Sequence, residues 1–73
     1  MATEQERIAS TVRRLRRRAG LTQEELAGKA GIGRATLARI EAGSVDPAAS
    51  TLRRLATALD VKVGDLFGEE DGG

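Results

Sequence analysis

The chain has 73 residues, enough for one small domain, and carries a formal net charge of +1. It has no Cys and no His, which excludes thiol and imidazole chemistry and nearly all zinc sites. Phe67 is its only aromatic residue, so the core must be aliphatic, and no cleft large enough to desolvate a carboxylate is expected. We therefore expect neither an enzyme nor a bound cofactor or metal.

Capping boxes mark the start of the first two predicted helices. Thr3 is followed three residues later by Glu6, and Thr22 by Glu25, which is the spacing at which two residues cap each other's backbone amides. The first helix ends at Gly20, a residue that readily adopts the left-handed conformation of a helix terminus. Its apolar stripe consists of Ile8, Val12, Leu15 and Ala19.

The second and third predicted helices are short and are joined by a glycine turn. Gly31 closes the second helix, and a third follows over residues 34–42 and is closed by Gly43. Ala27 is small enough to let two helices cross at a steep angle. The inward-facing side chains of this pair are predicted to be Leu26, Ala27, Ala30, Leu37 and Ile40.

Pro47 is expected in the first turn of a fourth helix, with Asp46 as its cap. The apolar stripe of this helix consists of Leu52, Leu55, Ala56 and Leu59. A last short turn carries Val61, Val63, Leu66 and Phe67, and Lys62 stands where a capping residue is expected, which predicts an irregular turn. The prediction is a compact all-α, five-helix domain over residues 1–68 and a disordered acidic tail over residues 69–73.

The most informative segment is residues 22–43, TQEELAGKAGIGRATLARIEAG, which reads as two short helices around a glycine turn. It resembles the helix-turn-helix of the lambda-repressor-like family, which includes Cro-type and XRE-type DNA-binding regulators. The stretches VRRLR, IEAG and TLRRLATALDV resemble further blocks of that family in the same order, so the resemblance covers about residues 8–68. It implies a five-helix bundle in which the third helix reads DNA.

The helical wheel of the third helix supports this role. At about 100° per residue, Leu37 and Ile40 point to one side of the helix. The opposite side carries Arg34, Ala35, Ala38 and Arg39. Small residues let a helix approach base edges, and arginine can bond O6 and N7 of guanine together. We expect this face to read bases, the alternative being that both arginines are ordinary solvated residues. The predicted DNA-binding set is Gln23, Gly33, Arg34, Ala35, Thr36, Ala38 and Arg39.

Two further assignments follow from the resemblance. It implies that Gln23 contacts a DNA phosphate, helped by the free N–H groups at the start of its helix; the alternative is an exposed helix former. It also implies that Arg16 and Glu41 form a largely buried structural ion pair that does not contact DNA. Such a pair is intolerant of losing one partner.

Charge is distributed unevenly along the chain. Residues 69–71 hold three of the 11 acidic side chains, and the remaining chain has 12 basic against 8 acidic side chains, a net charge of +4. Four arginines lie off the stripe of the first helix, and which of them contact phosphates is left open: Arg13, Arg14, Arg17 and Arg18. In the lambda-repressor-like family, the loop after the third helix often carries basic residues. Here residues 44–46 include no Lys or Arg. Asp46 would repel a phosphate that faced it.

The sequence predicts a regulator of transcription that binds double-stranded DNA at a palindromic operator, most simply as a repressor. Because one recognition helix reads only a few base pairs, we expect a homodimer. The free protein could be a monomer whose two copies pair only when bound to DNA. The candidate dimer interface is Val61, Val63, Leu66 and Phe67, the alternative being that Phe67 fills the monomer core.

Three other functions stay open. A restriction-modification controller shares this fold and length, and an antitoxin would add a protein partner. An interaction module that has lost DNA binding would predict an acidic or bulky recognition face, against which Arg34 and Arg39 argue. No apolar run approaches the roughly 20 residues of a membrane span, and residues 1–5 are polar, so we expect a cytoplasmic protein that does not bind membranes.

Overall fold

The computed structural model describes residues 1–68, and the predicted acidic tail over residues 69–73 lies outside them. The described part of the chain contains helices and turns and no strand. Four α-helices follow one another: α1 (Glu4–Arg18), α2 (Gln23–Ala30), α3 (Arg34–Glu41) and α4 (Ala49–Leu59). A 3-10 helix, Val63–Phe67, completes the domain.

The fold is all-α as predicted, but the expected fifth helix is this 3-10 helix. Its five residues leave room for little more than one turn, and the N–H of Asp65 reaches back three residues to the carbonyl of Lys62 at 2.9 Å. Lys62 has no side-chain oxygen to cap the turn. Instead, the side chain of Asp65 caps the backbone of Lys62: Asp65 Oδ2 accepts from the Lys62 N–H at 3.0 Å.

Both predicted capping boxes are present. Thr3 Oγ1 accepts from the Glu6 N–H at 3.1 Å, and Glu6 Oε1 accepts from the Thr3 N–H at 2.9 Å. Thr22 and Glu25 repeat this exchange at 3.0 and 2.9 Å. These local bonds satisfy backbone donors that a helix start otherwise leaves without partners, so α1 and α2 begin where the sequence predicted.

The turn between α2 and α3 depends on Gly31. Its φ is +72°, a left-handed conformation that glycine adopts without strain. The following Ile32 N–H donates to the Ala27 carbonyl at 3.0 Å, which closes α2. The chain then reaches α3 within three residues.

The start of α4 was predicted incorrectly. Pro47 lies before the helix, not in its first turn, and Asp46 makes no capping bond, because the N-cap is Ala48. Ala48 keeps an extended backbone (φ −65°, ψ 153°), and the first helical bond runs from the Leu52 N–H to the Ala48 carbonyl at 3.0 Å. A proline also holds the residue before it in extended conformation, which removes Asp46 from the helical path.

The core lies between the helices, with α2 packed on both α3 and α4, and α1 packed on α3 and the 3-10 helix. It is aliphatic, as the composition requires. Its completely buried large side chains are Ile8, Val12, Leu26, Leu37, Ile40, Leu55 and Leu66. Ala19, predicted on the inner stripe of α1, is exposed because it is the C-cap where the chain turns away.

Candidate nucleic-acid interface

The outer face of α3 is exposed along its length. Leu37 and Ile40, at 0% and 2% exposure, fix the opposite side of the helix in the core. The residues directed outward are Arg34, Ala35, Thr36 and Arg39, with Ala38 half-buried. This set is called the α3 face below. It presents two cations with small side chains between them, an arrangement that can enter the major groove closely.

Gly33, the N-cap of α3, makes no side-chain capping bond. Its φ of −71° is ordinary, and a β-carbon would meet only Thr36 Oγ1 at 3.7 Å, so neither strain nor crowding requires glycine here. The first amides of α3 are therefore left without a side-chain acceptor. Free N–H groups and the positive end of the helix dipole favour a nearby anion.

Gln23, the first residue of α2, is half-buried, and its side chain is held by α3. Gln23 Nε2 donates to Glu41 Oε1 at 3.0 Å. This contact was not foreseen from the sequence, since the two residues are 18 positions apart and no local pattern links them. Gln23 keeps a second side-chain N–H for another acceptor.

The structure brings Arg16 and Glu41 together as a two-point ion pair. Arg16 Nε donates to Glu41 Oε2 at 2.7 Å, and Arg16 Nη2 donates to Oε1 at 3.0 Å. The Arg16 side chain is 12% exposed and that of Glu41 2%. The hydrogen bond that Arg16 donates to Glu41 raises the pKa of Arg16 above its ordinary value despite the opposing effect of burial. Arg16 therefore stays charged at every pH at which the domain would be studied.

Two further bonds extend this ion pair. Arg16 Nη1 donates to the Leu21 carbonyl at 3.0 Å, just before α2. Arg13 Nη1 donates to the backbone carbonyl of Glu41 at the end of α3. Together with Gln23, these contacts connect α1, α2 and α3 around Glu41 and its ion pair with Arg16. Arg13 thus has a structural contact, whereas Arg14, Arg17 and Arg18 remain exposed on α1.

The loop after α3 places an acidic residue beside the α3 face. A small cleft of about 220 Å³ is lined by Thr36, Arg39 and Asp46, together with Ile40, Val45, Pro47, Ala48 and Thr51. Asp46 is exposed. A carboxylate in this position disfavours a phosphate or another anion at this edge of the α3 face.

The structure divides the predicted dimer residues into two groups. Leu66 is 0% exposed and belongs to the monomer core, so it is not available to a second copy. Val61, Val63 and Phe67 are half-buried and pack against the core edge. Within residues 1–68, Met1 is the only large hydrophobic residue classed as exposed. Any interface formed by this region is therefore small.

Two negative observations apply to residues 1–68. No helix there is long and apolar enough to cross a membrane. No group of three or more carboxylates is placed to hold a metal ion.

A family model described as helix-turn-helix matches residues 12–66, which span α2, the Gly31 turn and the α3 face. The chain belongs to the helix-turn-helix family. Its relatives include proteins described as HTH-type transcriptional regulators.

Two sequence relatives illustrate the range of this family. The chain is 38% identical over 63 residues to the immunity repressor protein of Bacillus phage phi105, an alignment covering 86% of this chain and 44% of the repressor. It thus spans less than half the length of that relative. It is 43% identical over 51 residues to an uncharacterized HTH-type transcriptional regulator of Methanocaldococcus jannaschii, covering 70% of this chain and 77% of that protein.

The same helix-turn-helix fold occurs in solved structures. The restriction-modification controller protein C.AhdI from Aeromonas hydrophila superposes with a TM-score of 0.83 at 32% identity, covering 85% of this chain and 94% of that one. The clp gene regulator ClgR from Corynebacterium glutamicum gives a TM-score of 0.84 at 25% identity, covering 89% of this chain and 69% of that one. The shared architecture extends over nearly all the described residues.

Proposed function

We propose that this helix-turn-helix chain recognises a specific double-stranded DNA sequence and represses transcription by occupying an operator. The α3 face carries the proposal. Its two exposed arginines are separated by small residues, and Leu37 and Ile40 hold the helix rigidly from behind. Each arginine can pair with one guanine through two hydrogen bonds, which is the commonest base-specific contact in the major groove.

Backbone contacts would set the position of α3 in the groove. We assign Gln23 and Gly33 to phosphates, because both lie at helix starts where N–H groups are directed outward. Ala35, Thr36 and Ala38 would lie against base edges or sugars between the two arginines. These contacts supply register, and the arginines supply sequence preference.

The proposed operator is palindromic and bound by two copies of the chain. A single α3 face covers only a few base pairs, which is too little to select one site in a genome. Two copies related by a twofold axis would place their α3 helices roughly 34–36 Å apart, one turn of DNA. The half-buried residues Val61, Val63 and Phe67 are the proposed contact, and because they offer little area the pairing is expected on DNA.

One experiment tests the main proposal. The chain is incubated with a pool of random-sequence duplexes, the bound fraction is amplified through several rounds, and the enriched sequence is placed between the promoter elements of a reporter. We expect enrichment of a palindrome with guanines in each half-site and reduced reporter expression. A pool that stays random after selection would overturn sequence-specific recognition.

A restriction-modification controller is the second candidate. The similarity to C.AhdI favours it, because that protein is matched over 94% of its length and this chain over 85%. The same reporter separates the two functions when the enriched site is moved upstream of the promoter. Activation from that position would support a controller, and the absence of activation would support a simple repressor.

A further inference from the structure

The carboxamide of Gln23 is held by one atom of a buried carboxylate. Glu41 Oε1 lies 3.0 Å from Gln23 Nε2, and the same carboxylate accepts two hydrogen bonds from Arg16. Glu41 is almost completely buried, whereas Gln23 is half-buried at the surface. The contact therefore links an interior charge to a side chain at the start of α2.

This bond fixes the direction in which the carboxamide points. A carboxylate only accepts hydrogen bonds, so the NH₂ group of Gln23 must face Glu41 and its carbonyl oxygen must face away. One of the two Nε2 protons is then committed to Glu41. The other is left free for a further acceptor, and within residues 1–68 the structure assigns it none.

Arg16 makes this arrangement compatible with DNA. An unpaired carboxylate close to a phosphate would repel it, even in water. The guanidinium of Arg16, paired with both oxygens of Glu41, cancels that charge locally. Glu41 can thus orient Gln23 without presenting a net negative charge to the DNA backbone.

We propose that Glu41 is a positioning residue for DNA binding, holding the Gln23 carboxamide so that its second Nε2 proton is directed at a backbone phosphate. This inference rests on the proposed function and deepens it. Glu41 itself touches no DNA, and its effect passes through Gln23. The bond persists in the complex, because the phosphate uses the proton that Glu41 leaves free.

The composition of the chain makes the Gln23 carboxamide directly observable by NMR. The chain has two glutamines, Gln5 and Gln23, and no asparagine, so only two side-chain carboxamides contribute to a ¹⁵N–¹H spectrum. The probe is a duplex enriched by the wild-type chain. On its addition, we expect one Gln23 Nε2 proton to shift strongly, the Glu41-bonded proton to keep its position, and the Gln5 signals to stay unchanged.

Two results of this titration would overturn the inference. If the Glu41-bonded proton moves to the position of a solvated amide, DNA releases Gln23 from Glu41. If neither Gln23 proton shifts in saturating duplex, Gln23 makes no phosphate contact. The measurement uses the wild-type chain and so does not depend on a variant that folds.

A double-mutant cycle gives an independent test. Gln23→Ala should weaken binding about tenfold, equally on the enriched duplex and on a scrambled one, because a phosphate contact is independent of sequence. Glu41→Gln should cause a similar loss, and adding Gln23→Ala to it should cost less than about a further twofold. Gln5→Ala is the matched control and should leave affinity unchanged.

The outcomes of these tests distinguish a failure of the positioning role of Glu41 from a failure of the proposed DNA-binding function. Losses that simply add, with both variants folded by circular dichroism, would show that Glu41 acts on stability alone and would overturn the positioning role. If the wild-type chain binds no duplex, the proposed function itself fails. If Glu41→Gln does not fold, the NMR titration decides.

Discussion

Arg16 and Glu41 lie 25 residues apart in the sequence and share two hydrogen bonds, at 2.7 and 3.0 Å, across the interface of α1 and α3. The carboxylate is nearly inaccessible to solvent, at 2% exposure. Glu41 cannot regain water without a rearrangement of the helices, whereas Arg16 keeps slight access to solvent at 12% exposure. The pair is therefore expected to behave as a unit in which the loss of one member leaves a buried charge behind.

Removing either member of this pair should destabilise the domain strongly. We expect Arg16→Ala and Glu41→Ala each to lower the free energy of unfolding by about 3–5 kcal/mol, measured by urea titration. Arg17→Ala is the matched control, since Arg17 is exposed on the next position of α1, and it should change stability by less than about 0.5 kcal/mol. Equal effects at positions 16 and 17 would contradict a structural role for the pair.

The arginines of the α3 face should affect recognition and not folding. Arg34→Ala and Arg39→Ala are each expected to weaken binding to the enriched duplex by about 1–3 kcal/mol, with unchanged melting curves. Binding to a scrambled duplex should fall much less. Arg53→Ala, which removes an exposed arginine from α4, controls for general loss of positive charge. If the cognate and scrambled duplexes lose affinity equally, the two arginines contact phosphate only.

The proposed homodimer predicts cooperative binding to a full operator. Titration of the chain against a full palindrome and against one half-site should show two copies per palindrome and clearly tighter binding than to the half-site. Because the candidate contact consists of half-buried Val61, Val63 and Phe67, the free chain is expected to sediment as a monomer. A half-site that binds one chain as tightly as each copy binds the full site would disprove pairing.

Asp60 offers a test of local strain. It is the only non-glycine residue with positive φ in the described part of the chain, at φ 59°, and its charge lies at the C-terminal end of α4. Asp60→Asn tolerates the left-handed conformation and removes an unfavourable charge–dipole interaction, so it should stabilise the domain by about 0.3–1 kcal/mol. Asp60→Ala should destabilise it by about 1 kcal/mol. Thermal melting measures both, and the reverse order would contradict the strain argument.

Prediction from sequence succeeded where a structural feature depends on neighbouring residues. Thr3 with Glu6 and Thr22 with Glu25 are three positions apart, so a local pattern was enough to locate the starts of α1 and α2. The outer face of α3 likewise follows from helical periodicity. The start of α4 was predicted too early. Asp46 and Pro47 have the residue types of a helix start, but the N-cap is Ala48, whose backbone is still extended.

The contacts around Glu41 could not have been predicted fully by such patterns. The resemblance to known regulators pointed to Arg16, but the bonds from Gln23 and Arg13 join residues 18 and 28 positions apart. Their formation depends on the angle between helices, which no local pattern specifies. For the same reason Leu66 was grouped with the half-buried residues Val61, Val63 and Phe67 as a candidate dimer contact, although it fills the core.

The burial of Leu66 has a consequence for synthesis of the protein on the ribosome. Leu66 is fully enclosed, and Gly68 lies so close to α1 that a β-carbon would stand 2.8 Å from Thr11 Oγ1. The polypeptide emerges from its N-terminus, so α1, α2 and α3 leave the exit tunnel before the residue that closes their apolar core. A nascent chain thus lacks the contact between α1 and the 3-10 helix, and the burial that it provides, until residue 66 has been synthesised.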